Sequence, residues 1–318
     1  MAGADQGELL ETRAAYGEAL LELGEELPQL VVLDADLVRS TRTAQFAERF
    51  PQRFFQLGIA EQDMVSTAAG MAASGLVPFC NSFAVFLTGR CYDQIRLQVA
   101  YPRLNVKLAG SSAGPTQGPD GASHQSMEDV ALMRSLPNMT VVVPADATET
   151  RAATRAIAEI DGPAYLRLGR YPTPVLFGEG YRFALGQPVV MREGGDLALL
   201  ANGIMVYRAL CAAEELAREG LSCRVVNVHT VKPMPAEAIV DACRGVRAVL
   251  TVEEHSVIGG LGSAVAEVLA EHHPLPLKRL GVPDRFGESG LADELLAAHG
   301  LTAQAIAHAA LKFARKLG

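Results

Sequence analysis

The 318-residue chain has no basic run and no basic stripe: 28 Lys and Arg face 36 Asp and Glu, for a net charge of −8, and the cations are scattered. A nucleic-acid surface needs cations gathered on one side, so that class is set aside. Apolar runs are also short, and none reaches the roughly 20 residues of a membrane-spanning helix. Cysteine is sparse. Cys80, Cys91, Cys211, Cys223 and Cys243 are odd in number and widely spaced, with no metal pattern and no obvious disulfide framework, which points to a reducing, cytoplasmic setting. The opening Met-Ala-Gly-Ala-Asp-Gln lacks the basic-then-apolar order of a secretory leader, so no signal peptide is expected. What is plentiful is apolar: 49% of residues are hydrophobic, which excludes a disordered chain, and the length is enough for two domains with sizeable cores.

The pattern along the chain predicts an α/β protein. A helix is expected over 8–27, stopped by Pro28, then a buried strand over Leu30–Leu33 and a short helix over Thr43–Phe50. Asp34, Asp36, Ser40, Thr41 and Arg42 fall at the carboxyl end of that strand, where open α/β sheets bind ligands. Further strands are expected at Val77–Cys80, Asn105–Ala109, Thr140–Val143 and Ala164–Arg170, with helices between them. Residues 1–175 are read as one domain, 176–192 as a linker rich in proline and glycine, and 193–318 as a second domain whose strands and helices alternate again. That alternation implies two mainly parallel sheets flanked by helices.

One stretch organises the rest. Phe54-Phe55-Gln56-Leu57-Gly58-Ile59-Ala60-Glu61-Gln62 reads as a strand, a glycine turn and a helix start, followed by a helix of small residues. A glutamate at a helix N-terminus is favoured by unpaired amides and the helix dipole, so Glu61 is either a cap or a carboxylate set in an apolar site to exchange a proton with a bound ring. Phe83 and Phe86, three apart, share a face if they lie on a helical turn. Residues 110–126 break the regular pattern with four glycines and two prolines, and hold His124, the only histidine in the first half of the chain, near Asp120. Such a loop suits a ligand approached closely by backbone. Arg167 and Arg170 end a strand, as an anion site or as solvated border residues. Gly259-Gly260-Leu261-Gly262 is read as a helix-start turn, since it lacks Gly-x-Gly-x-x-Gly spacing. Glu253, Glu254 and His255 are read as a site, a subunit contact or a hydrogen-bonded structural cluster.

Six stretches then agree with one family. They are Gly58-Ile59-Ala60-Glu61-Gln62, Ser82-Phe83-Ala84-Val85-Phe86, Tyr92-Asp93-Gln94-Ile95-Arg96, Asp120-Gly121-Ala122-Ser123-His124-Gln125, Val228-His229-Thr230-Val231-Lys232-Pro233 and the run Val252–Gly262. In order and spacing the chain resembles the C-terminal half of transketolases, and most of all the smaller subunit of split, two-polypeptide transketolases. The resemblance implies a pyrimidine-binding domain and a C-terminal domain of a thiamine diphosphate enzyme that moves a two-carbon ketol unit from a ketose phosphate to an aldose phosphate. It implies that Glu61 bonds the ring nitrogen of the cofactor's aminopyrimidine, that Phe86, with Phe83 near it, stacks on that ring, and that Tyr92 belongs to the same cofactor pocket. Asp120 and His124 are implied to meet the sugar's hydroxyls, His124 with a share in proton movement. Arg13, Ser40 and Arg170 are implied to hold the substrate phosphate.

Two departures shape the expectation. The family grips the diphosphate and Mg²⁺ with a Gly-Asp-Gly segment, and none occurs here. A partner N-terminal subunit is therefore expected to supply that grip, in an α2β2 assembly, and no metal ligand is assigned to this chain. Ser112 stands where some transketolases carry a histidine. A beta subunit of the decarboxylating component of a 2-oxo-acid dehydrogenase, a 1-deoxyxylulose-5-phosphate synthase-like enzyme and a non-catalytic subunit of the same fold are the rival readings.

Overall fold

A computed structural model describes residues 8–178 and 180–317, so the opening stretch read above for a leader lies outside the described residues. The first sheet has seven strands in the order Thr230–Lys232, Thr140–Val142, Ala164–Arg167, Lys107–Ser111, Val77–Phe83, Leu30–Asp34 and Phe54–Gln56. All neighbours are parallel except Thr230–Lys232, an antiparallel edge that comes from the second half of the chain. The second sheet has five strands in the order Leu277–Val282, Ala248–Ser256, Leu197–Ala201, Cys223–Asn227 and Val189–Arg192, the last antiparallel.

Strand Leu30–Asp34 shows why the sequence takes this form. Every residue in it is buried. Val31 and Leu33 join the core under the Glu61 helix, while Leu30 and Val32 join the opposite core with Tyr16, Leu20 and Ile157. Side chains alternate between the faces of a strand, so helices on both faces require apolar residues at every position. The second sheet repeats the plan, with Leu197 and Leu199 on one face and Ala198 and Leu200 on the other.

Several boundaries differ from the sequence reading. Leu9–Leu10, expected within a helix, pairs as a short antiparallel strand with Thr173–Pro174, and the helix begins at Thr12. Phe83 ends a strand and does not lie on a helical turn; Phe86 opens a π-helical turn over Phe86–Arg90. The helix Ala292–Ala298 is an addition to the expected elements. The segment joining the two sheets is tied at both ends of its path. Asp146 caps the helix Ala147–Glu159 through Glu149 N and also accepts from Leu176 N and Phe177 N, at 2.5 and 2.9 Å.

His229 closes the other tie. Its Nε2 lies 2.8 Å from the Gln187 carbonyl and its Nδ1 2.8 Å from Thr230 Oγ1, with Phe183 against the ring. A carbonyl only accepts, so Nε2 carries the proton and Nδ1 accepts from the hydroxyl. Burial pushes the imidazole down from 6.5 to about 4. The fold thus holds His229 neutral, and its contribution is complete above pH 6.5 and lost as the pH falls toward about 4. Over that window the wild-type chain is expected to lose roughly 2–3 kcal/mol relative to His229→Gln, measured as the difference between their denaturant unfolding curves at each pH.

Candidate active site

The site residues cluster at one edge because the strands are parallel. Glu61 follows Phe54–Gln56, Phe86 follows Val77–Phe83, the 110–126 loop follows Lys107–Ser111, and Arg170 follows Ala164–Arg167. Each leaves the sheet at its carboxyl end, the edge where doubly wound sheets hold ligands.

Glu61 is the first residue of its helix, Glu61–Ala73, after the turn at Gly58, whose φ of 71° suits glycine. Glu61, Met64, Val65, Ala68 and Ala69 form the buried stripe of that helix. The carboxylate does not cap the helix. Its Oε2 accepts from Arg90 Nη1 at 2.7 Å and its Oε1 from Ser82 Oγ at 3.3 Å. It is 2% exposed, so it sits in the kind of apolar pocket where an unpaired charge is costly. Arg90 also lies over the Phe86 ring, its Cζ 4.4 Å from the centroid. Beside it, burial and then the charge of Glu61 push the Cys91 thiol up to about 12, so that sulfur stays neutral.

The aromatic residues meet at the same place. Phe83 and Phe86 stack with centroids 5.9 Å apart, and His124 stands edge-on to both, 5.2 Å from Phe86 and 6.1 Å from Phe83. His124 Nδ1 is 2.9 Å from Ser123 Oγ, which fixes the ring and leaves Nε2 for a bound group. Tyr92 is not joined to this group. Its hydroxyl bonds Ser135 Oγ at 2.8 Å and its ring packs on the core under the Glu61 helix.

A second cluster carries the anion-binding candidates. Arg170 Nη1 lies 3.3 Å from Asp120 Oδ2, which also accepts from Gln117 Nε2 at 2.5 Å. The Gly169 carbonyl accepts from Arg13 N, bringing Arg13 beside Arg170. Arg13 reaches the Ser40 carbonyl at 3.1 Å and pairs with Glu11, which also pairs with Arg42. Arg13 is thus linked to Ser40 by its side chain and to the backbone beside Arg170 by its amide, and Arg170 to Asp120. Arg167 does not belong to this cluster: it is buried, bonding Asp129 and the Glu254 carbonyl.

The 110–126 loop is pinned from the second domain. Glu254 Oε1 accepts from Thr116 N at 2.8 Å and Thr116 Oγ1 at 2.5 Å, and Gln125 Nε2 reaches the Glu288 carbonyl at 3.0 Å. Glu253 instead caps the helix Leu261–His272, accepting from Leu261 N and Gly262 N, and His255 Nε2 accepts from Ala131 N. The run Glu253-Glu254-His255 is therefore a hydrogen-bonded structural cluster, and Gly259–Gly262 is a helix start. Sequence reasoning missed Arg90 and Ser82. The signal for Arg90 was its place four residues after Phe86, at a spacing that lets side chains meet on a helical turn.

The model of the transketolase pyrimidine-binding domain matches residues 8–174, and that of the transketolase C-terminal domain matches residues 186–306. The 6-deoxy-6-sulfo-D-fructose transketolase subunit of Clostridium sp. strain MSTE9 is 48% identical over 94% of this chain and 92% of its own. One of the subunits of the apulose-4-phosphate transketolase of Phocaeicola vulgatus is 36% identical over 97% of this chain and 99% of its own. Among solved structures, a split-gene transketolase described as an inactive beta4 tetramer superposes with a TM-score of 0.90 at 51% identity, covering 96% of this chain and 99% of its own.

The pinned loop carries a direct test. A Cβ at Gly114, where φ is +78°, would stand 2.4 Å from Glu254 Oε1. Gly114→Ala is expected to cost about 1–3 kcal/mol in thermal unfolding, because strain and overpacking fall on the same residue.

Proposed function

This chain belongs to the transketolase family, as a subunit of the split, two-chain kind, and from that premise we propose how its residues share the work with a partner. The reaction is transfer of a two-carbon ketol unit from a ketose phosphate to an aldose phosphate, with thiamine diphosphate as cofactor. The observation that carries the reading is a buried carboxylate, Glu61, set beside the Phe86 ring with His124 at its edge. These side chains fit an aminopyrimidine. A flat N–H donor, the Arg90 guanidinium, already bonds the carboxylate, and its Cζ lies 4.4 Å from the centre of the Phe86 ring.

When bound, thiamine diphosphate supplies the carbanion chemistry that breaks and makes the carbon–carbon bond. Glu61, 2% exposed, would meet a ring nitrogen of that group and hold or yield a proton there. Phe86 gives that ring a stacking face, contributing roughly 0.5–1.5 kcal/mol beyond area burial. His124 presents Nε2 to a substrate oxygen, and Asp120 orients a neighbouring hydroxyl. Arg13 and Arg170 hold the terminal anion of the sugar, and Ser40 shapes that end of the site through its carbonyl hydrogen bond to Arg13. Positioning both substrates in turn at one reacting carbon makes each step effectively intramolecular.

The diphosphate and Mg²⁺ are assigned to an N-terminal partner subunit in an α2β2 complex located in the cytoplasm. The relative described as an inactive beta4 tetramer supports a site completed by a second kind of chain. Ile59, two positions before Glu61, is 78% exposed, an apolar side chain suited to a covering partner. A sugar ending in sulfonate is the second reading for the donor, favoured by the name of the Clostridium relative.

Ketol transfer from xylulose 5-phosphate to ribose 5-phosphate, with thiamine diphosphate and Mg²⁺, is expected only when this chain is mixed with its N-terminal partner. Turnover by this chain alone would overturn the shared site. In the complex, Glu61→Ala is expected to lower turnover by at least about 10²-fold, the lower end of what positioned acid–base groups contribute. Unchanged turnover would remove Glu61 from the mechanism.

A further inference from the structure

We propose that Arg90 is a removable stand-in for the cofactor's aminopyrimidine, holding Glu61 and Phe86 until the ring displaces it. The inference rests on the assignment of Glu61 and Phe86 to that ring. Arg90 Nη1 donates to Glu61 Oε2 at 2.7 Å while its Cζ lies 4.4 Å over the Phe86 ring. A guanidinium is a flat, delocalised cation with its N–H donors in plane. An aminopyrimidine bound as assigned asks for the same two partners, an in-plane carboxylate and an aromatic face. The second oxygen, Oε1, offers no alternative berth, since it turns toward Ser82, which is wholly buried. Phe83 already lies near-parallel to Phe86 at 5.9 Å, so a further flat group stacking there competes with Arg90.

The arrangement lets the side chain leave without moving the backbone. Arg90 is 44% exposed at its side chain against 2% for Glu61, so the arginine is the partner with solvent to move into. Its carbonyl is held independently by Gln62 Nε2 at 3.0 Å. While Arg90 is in place, the buried carboxylate is paired and the pocket keeps its shape. A diphosphate compound without a flat ring offers nothing to replace the guanidinium, so the exchange also selects for the cofactor's heterocycle.

The test is calorimetric and stopped-flow binding of thiamine diphosphate, with excess Mg²⁺, to the two-subunit complex. Arg90→Met keeps an apolar stem but removes charge and fork, and is expected to bind the cofactor roughly three- to tenfold tighter and faster, the scale of one half-exposed ion pair plus one cation–π contact. Arg90→Lys, which keeps a cation but not the flat stack, is expected to fall between. Magnesium pyrophosphate, carrying the anion without the ring, is expected to gain nothing from Arg90→Met. Unchanged or weaker cofactor binding in Arg90→Met would overturn the proposal, as would an equal change for both ligands, which marks a charge effect. Glu61→Ala keeps the two failures apart. If it binds cofactor as wild type does, the assignment of Glu61 fails; if it loses binding while Arg90→Met shows no gain, only the stand-in fails.

Discussion

Glu254 takes the amide and the hydroxyl of Thr116, 138 residues earlier in the chain, onto one buried oxygen. Burial, with the charge of Asp129, holds this carboxyl above the usual carboxylate range, against the opposing pull of Arg167 and the two Thr116 donors. The loop carrying Asp120 and His124 holds a 3-10 helical turn over Pro115–Asp120 and hydrogen bonds of its own, such as Gly114 N to the Ser126 carbonyl, and the Glu254 contact anchors it to the second domain. Arg167 supports it from behind, reaching both Asp129 and the Glu254 carbonyl. A domain that contributes none of the candidate site residues thus anchors the loop that carries two of them, Asp120 and His124, which is how positioning residues far from chemistry affect rate.

The Glu61 unit was legible because its determinants are local. A strand, a glycine able to take positive φ, and small residues at helical spacing are written within twenty positions, and the carboxylate follows from them. The sheet architecture was legible for a similar reason: buried parallel strands need apolar residues at every position, and such runs stand out. What the carboxylate does was less accessible. Capping and an acid–base role give the same local pattern, and only the observed partners, Arg90 and Ser82, show that the side chain is not spent on the helix end.

Other features depend on contacts between distant segments. Leu9–Leu10 has helical neighbours in sequence, yet it becomes a strand because Thr173–Pro174 offers it an edge. Phe83 and Phe86 do meet, though through a strand end and a π-helical turn, a backbone form that spacing rules do not anticipate. The three acidic and imidazole groups at 253–255 could not be sorted from sequence, because one faces a helix start, one a distant loop and one a neighbouring helix.

The strand Thr230–Lys232 lies at the edge of the first sheet although it belongs to the second half of the chain. In a ribosome-bound chain, synthesis runs from the N-terminus, and domains generally fold as units while it does. Here the first sheet remains one strand short until residue 232 has emerged, with the backbone of Thr140–Val142 open on one side. The two domains are therefore not independent in time. The second must begin to appear before the first can close its edge, and a chain cut between the sheets would leave that edge as a place for mispairing.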